Sequence, residues 1–258
     1  MSTFLFELLV ALLIQQSVPK PPLAFDVAMI KPSAPAVQGG AIRPMPSGQG
    51  YMATGIPLKL MIRLMYTITD SQVAGGPDWI NTDRWDVQAK ADGSYNLDQL
   101  HQMYQTLMAD RFQLKFHREM RELPAYELVL DKPGDKGSKM TVNETENHFD
   151  IPIQPAARFK AQGTRVPMSY LAWWLSQQLN RPVIDKTGLD RFYDFTLEWA
   201  PDPQPDGVRP PGADAPVPAP DGPTIFTALR EQLGLKLESR RGLVEVLVID
   251  HAARPSEN

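Results

Sequence analysis

IPLKLMIRLM, residues 56–65, and VPMSYLAWWLSQQL, residues 166–179, decide how the chain folds. Each opens apolar-Pro-apolar, and proline suits the first helical turn, where a backbone N–H has no intrahelical partner. Leu58, Met61, Ile62, Leu64 and Met65 in one, and Met168, Leu171, Ala172, Trp174, Leu175 and Leu179 in the other, recur at helical spacing. That spacing predicts two amphipathic helices, each with one buried face.

The flanking segments match as well. A strand is predicted after each helix, through Asp83, Arg84, Trp85, Asp86 and Val87 in the first half and Asp190, Arg191, Phe192, Tyr193, Asp194 and Phe195 in the second. Second helices follow at 97–109 and 224–233. Hairpins are then expected, 113–116 pairing with 126–131 and 234–237 with 245–250. Leading strands fall at 50–54 and 157–162. Several segment types in the same order point to duplication. The fold class is therefore α+β, as two tandem diverged repeats, each a small sheet with two helices packed on one face. The units span 23–131 and 156–252, with a linker over 132–155 and a tail at 253–258. An extended insert is expected over 201–223, which holds nine of the 25 prolines.

Composition excludes several function classes. A formal net charge of −4 with both signs interspersed gives no electrostatic footprint for nucleic acid. The absence of cysteine removes disulfides, thiolate metal sites and a Cys nucleophile, so no cofactor is expected. The apolar run at residues 4–14, followed by a Pro-rich stretch, reads as the core of a signal peptide over residues 1–22. It is too short for a membrane span, which needs about 20 apolar residues. The expectation is an exported chain, periplasmic or extracellular, with no transmembrane segment once mature.

Chemistry-bearing motifs are sparse. His101, His117, His148 and His251 lie far apart without metal-ligand spacing, and no metal site is expected. Ser169 and Ser176 fall on a predicted helix, away from any nucleophile elbow. His117 and His251 occupy comparable strand ends, and with Glu119 and Asp86 they form the only weak catalytic set. Asp86 and Asp194, repeated in both halves, fit a structural job at a turn better than acid-base work. Among the aromatics, Trp173 and Trp174 are adjacent on one helix, about 100° apart, so they cannot share a narrow core stripe. These two and Trp79 are the candidate binding anchors.

Six stretches carry a family resemblance: FDVAMIKP (25–32), GGPDWINTDRWDVQAK (75–90), LMADRFQLKFHREMRELPAYEL (107–128), RPVIDKTGL (181–189), YDFTLEW (193–199) and FTALREQLGLKLESRRGLVEVLVIDHAARPSEN (226–258). The chain resembles an uncharacterised family of exported proteins of soil bacteria, defined by a domain of unknown function. More distantly, NRPVID (180–185) and TIFTALREQLGL (224–235) are similar to the short N-terminal domain of secretins and TonB-dependent receptors. That likeness implies protein contacts in the cell envelope. The leading expectation is a non-catalytic module binding an envelope protein or peptide. The alternative is an envelope hydrolase or peptidase accessory enzyme, which requires His117, Glu119, Asp86 or His251 to converge in one pocket.

Overall fold

A computed structural model describes residues 22–34, 39–132, 134, 139–145, 151–157, 159–200 and 222–256. The expected signal segment, beyond Pro22, and the Pro-rich insert, beyond Gly222 and Pro223, lie outside these residues.

The chain is mixed α+β. Its first half runs β1 (Val27–Pro32), β2 (Ala41–Pro44), β3 (Gly50–Pro57), α1 (Leu58–Met65), β4 (Val73–Gly75), α2 (Trp79–Thr82), β5 (Arg84–Lys90), α3 (Leu97–Arg111) and β6 (Lys115–Leu130). The second runs β7 (Thr141–Val142), β8 (Ile153–Ala157), β9 (Lys160–Pro167), α4 (Met168–Leu179), β10 (Val183–Asp185), β11 (Phe192–Glu198), α5 (Ile225–Ala228) and β12 (Leu235–His251). A π-type turn, Leu229–Leu233, extends α5.

Local chemistry sets these boundaries. Pro57 and Pro167 hold extended backbone directly before α1 and α4. A reciprocal capping box starts α3: Gln99 N–H donates to Asn96 Oδ1 at 2.9 Å, and Asn96 N–H donates to Gln99 Oε1 at 3.0 Å. Period-two alternation in β5 turns Trp85, Val87 and Ala89 inward and leaves Gln88 and Lys90 in solvent.

Three four-stranded sheets result, ordered β1-β5-β3-β2, β7-β11-β9-β8 and β10-β6-β12-β4. The two outer sheets are antiparallel throughout. Helices α1 and α3 pack on the first around Met61, Ile62, Trp85, Tyr104 and Phe112. Helices α4 and α5 pack on the second around Leu171, Leu175, Tyr193, Leu197 and Leu229.

The central sheet corrects the expected hairpins. β6 and β12 are each one continuous strand, and they pair with each other from Leu235 opposite Leu130 to His251 beside Lys115. Segments 113–116 and 126–131 are thus two ends of one strand rather than partners. Each half also completes the other's core, because Leu247 and Ile249 of β12 enter the first cluster and Leu128 of β6 enters the second. Self-contained units with private hairpins are not what forms. The expected linker 132–155 is corrected too, since it contains β7 and most of β8, both strands of the second sheet.

Along the β6–β12 ribbon the buried side changes. Phe116 and Ile249 point into the first core, and Leu128, Leu130, Leu235 and Leu237 into the second. Between these ends the same row carries Arg118, Met120, Glu122, Pro124, Arg241, Leu243 and Glu245, all exposed, while Ala125, Val244 and Val246 of the opposite row are buried. Right-handed twist is largest in two-stranded ribbons, and here it rotates one row from core to solvent and back.

Candidate functional site

Asp86 and Asp194 hold backbone. The β3–β5 register slips between Ala53 and Ile56, and Gly55 sits there at φ +66°. Its N–H donates to Asp86 Oδ1 at 3.0 Å, and the Ser33 hydroxyl donates to the same oxygen at 2.6 Å. In the second sheet the β9–β11 register slips at the matching place, with Arg165 at φ +53°. Arg165 N–H donates to Asp194 Oδ1 at 2.7 Å, and Asn143 Nδ2 donates to both Asp194 oxygens at 3.0 and 2.9 Å. Each carboxylate satisfies the amide that its bulge removes from the ladder. Asp86 shares no partner with His117, so the geometry separates these two members of the weak catalytic set.

His117 and Glu119 do come together, joined by a residue that sequence reasoning left out. His117 Nε2 lies 3.0 Å from Glu119 Oε1 and its Nδ1 lies 2.8 Å from Asp250 Oδ1 across the ribbon, while Arg121 Nε donates to Glu119 at 2.8 Å. Hydrogen bonds to Glu119 and then Asp250 raise the imidazole above its usual range, and the His117 and Arg121 donors lower the Glu119 carboxyl. Both ring nitrogens face carboxylates, and in the protonated form both N–H groups donate to them, which leaves no lone pair for a substrate proton. The cluster is solvent-exposed and makes a cross-strand clasp. His251 is exposed near Lys115 on the same ladder. No described group of three or more His, Asp or Glu side chains is arranged to hold a metal.

Trp79, Trp173 and Trp174 are half-buried. Trp174 packs on the second core, edge-on to Trp199 at 5.6 Å. Trp173 tilts against Tyr170 at 5.0 Å, and its indole N–H is buried without a partner. Trp79 rests on the first core with the Arg254 guanidinium 5.2 Å from its ring centre. A shallow hollow of about 210 Å³ lies between the segment before β1 and α3, lined by Phe25, Thr106, Leu107 and Asp110 among others. It shares no residue with the His117 clasp.

The most exposed large apolar side chains include Leu243 (66%) and Met120 (59%), diagonal neighbours on the outer face of the ribbon. Ion pairs Arg118–Glu245 and Arg241–Glu122 flank them, the latter at 3.0 Å. The order Arg-x-apolar-x-Glu occurs in both strands, at 118–122 and 241–245. That repetition was visible in the sequence and could have identified the surface.

Fold and surface together define an α+β protein with two open antiparallel sheets and a shared twisted ribbon. Its sequence matches the family described as protein of unknown function (DUF3738) over residues 59–252, roughly three quarters of the chain. The chain belongs to that family. No curated protein and no solved structure matches it significantly.

Proposed function

We propose that this chain is a non-catalytic interaction module of the bacterial cell envelope, reached by export and built from two diverged copies of one α+β unit. The observation that carries the interaction role is the exposed Met120–Leu243 pair set between two ion pairs on the outer face of the β6–β12 ribbon. Exposed apolar groups rimmed by charge are characteristic of protein-contact surfaces. The matching element order of the halves, and the matched bulge carboxylates Asp86 and Asp194, support duplication. The apolar run at residues 4–14 and the likeness to soil-bacterial exported proteins and to the short domain of secretins and TonB-dependent receptors support the envelope setting. An envelope protein or peptide is the partner.

The test is retention of envelope proteins by tagged wild type and by Met120→Asp/Leu243→Asp, beside His117→Gln. A defined partner retained by wild type and His117→Gln but lost from the double variant supports the proposal. A hydrolytic activity abolished by His117→Gln and indifferent to the double variant contradicts it.

A further inference from the structure

The outward faces of the two outer sheets occupy equivalent places in the fold but carry different chemistry. On the first, β1 contributes Val27, Met29 and Lys31, β5 Gln88 and Lys90, β3 Met52, and β2 Arg43. Met29, Gln88, Met52 and Arg43 form one cross-strand row, and Val27 stands beside Lys90 in the next. Val27 is 61%, Met29 49% and Met52 42% exposed. Among the described residues no ion pair engages Lys31, Arg43 or Lys90, and Asp26 stands only at the rim, before β1. Asp86, on the same face, is already bonded to Ser33 and Gly55. In a chain of net charge −4, this face is locally cationic and apolar.

The second sheet supplies an internal comparison. Where the first has Lys31, Arg43, Met52 and Lys90, the matching register positions hold Thr141, Gln154, Gln162 and Glu198, and Glu198 is paired with Lys160. An open antiparallel sheet needs only polar residues on its solvent side, which is what these matched positions of the second sheet show, and Phe192 at the end of that face is covered by the Arg165 guanidinium at 4.1 Å. Three exposed apolar side chains and three unpaired cations on the first are therefore not demanded by the architecture.

We propose that the open face of the β1-β5-β3-β2 sheet docks an acidic peptide segment that also carries apolar side chains. Lys31, Arg43 and Lys90 supply charge complementarity, and Met29 and Met52 supply an adaptable apolar floor. A bilayer fits this face less well, because Gln88, between the two methionines, and the Asp86 carboxylate would lose water to acyl chains, whereas a peptide can hydrogen-bond to them. This face is separate from the Met120–Leu243 pair of the ribbon.

Fluorescence anisotropy with labelled peptides tests it, one of alternating Glu and Leu and one of alternating Lys and Leu. Wild type should bind the acidic peptide saturably, more weakly at high salt, and the basic one not at all. Lys31→Glu/Lys90→Glu should weaken binding by at least about tenfold, and Met29→Ser/Met52→Ser should weaken it too. Lys160→Glu on the second sheet and Met120→Asp/Leu243→Asp on the ribbon should bind as wild type, so failure here is separable from failure of the ribbon proposal. Equal binding of both peptides, no binding of either, or acidic binding that survives charge reversal would overturn the inference. So would a preference for phosphatidylglycerol vesicles over the peptide. If the charge-reversed chain does not fold, the wild-type contrast between the two peptides and its salt dependence decide.

Discussion

Replacing Asp194 with alanine removes the acceptor of three hydrogen bonds at one bulge: Arg165 N–H at 2.7 Å and Asn143 Nδ2 at 3.0 and 2.9 Å. The Asn143 amide can turn to water. Arg165 N–H, part-buried between strands, has no such freedom, and a stranded backbone donor costs about 1–3 kcal/mol. The charged character of the bond and the φ of +53° that it helps hold at a non-glycine residue add about 1 kcal/mol. Asp194→Ala should therefore destabilise the chain by about 2–4 kcal/mol, which for a domain of this size lowers the melting temperature by about 5–10 °C. Asp194→Asn keeps an acceptor oxygen and should lose about half as much. Asp86→Ala should behave similarly at Gly55, with less strain because glycine tolerates its φ of +66°. Thermal and urea unfolding followed by tryptophan fluorescence read these values. Unchanged melting of Asp194→Ala, or an asparagine variant as unstable as the alanine one, would refute the bulge-clamp argument.

His101 stacks on Tyr51 at 6.1 Å, and burial holds its pKa at about 4 against an ordinary 6.5. The unfolded chain thus binds the proton first, so stability is full above about pH 6.5 and falls towards pH 4 by at most about 3 kcal/mol; His101→Leu should flatten that limb of the stability-pH profile. For His117 the sign is opposite. Its raised pKa gives stabilisation that is present below the ordinary histidine value and lost as pH rises through the folded one, so the melting difference between wild type and His117→Gln should be largest in mild acid and shrink as pH rises. A Cβ at Gly163 would lie 2.7 Å from the Phe195 ring. Gly163→Ala should destabilise by about 1–3 kcal/mol, and adding Phe195→Val should recover much of that loss, since it reproduces the Ala53–Val87 pair of the first sheet.

Much of the secondary structure was legible because its signals are local. Pro57 and Pro167 mark helix starts, and the run from Trp85 to Ala89 marks a half-buried strand. Strand partners were not legible, because Leu114-Lys115-Phe116 and residues 126–130 read as separate strands and the polar middle between them as a turn. Pro124 falls in that middle. In the ribbon it faces Arg241 at a position whose N–H points away from the β6–β12 ladder, so proline removes no bond there. The Arg and Glu residues that suggest a loop are the solvated face of a strand whose other face packs inward. His117 with Glu119 could be anticipated at i, i+2 on one strand face. Asp250 could not, because its approach depends on pairing between the two halves.

That pairing is the central claim, since the ribbon surface exists only if β6 and β12 are partners, and the cysteine-free chain allows a direct test. Glu122 and Leu243 are directly opposite at a non-hydrogen-bonded position, where Cα atoms approach to about 4.5 Å, within disulfide reach. Glu122→Cys/Leu243→Cys should oxidise to an intramolecular disulfide while folded, detected by the altered mobility of the unreduced chain, and should not crosslink when oxidised in denaturant. Free thiols in the folded double variant, with ready disulfide formation instead between cysteines placed at Lys115 and Glu127 within the first half, would show private hairpins and contradict the account.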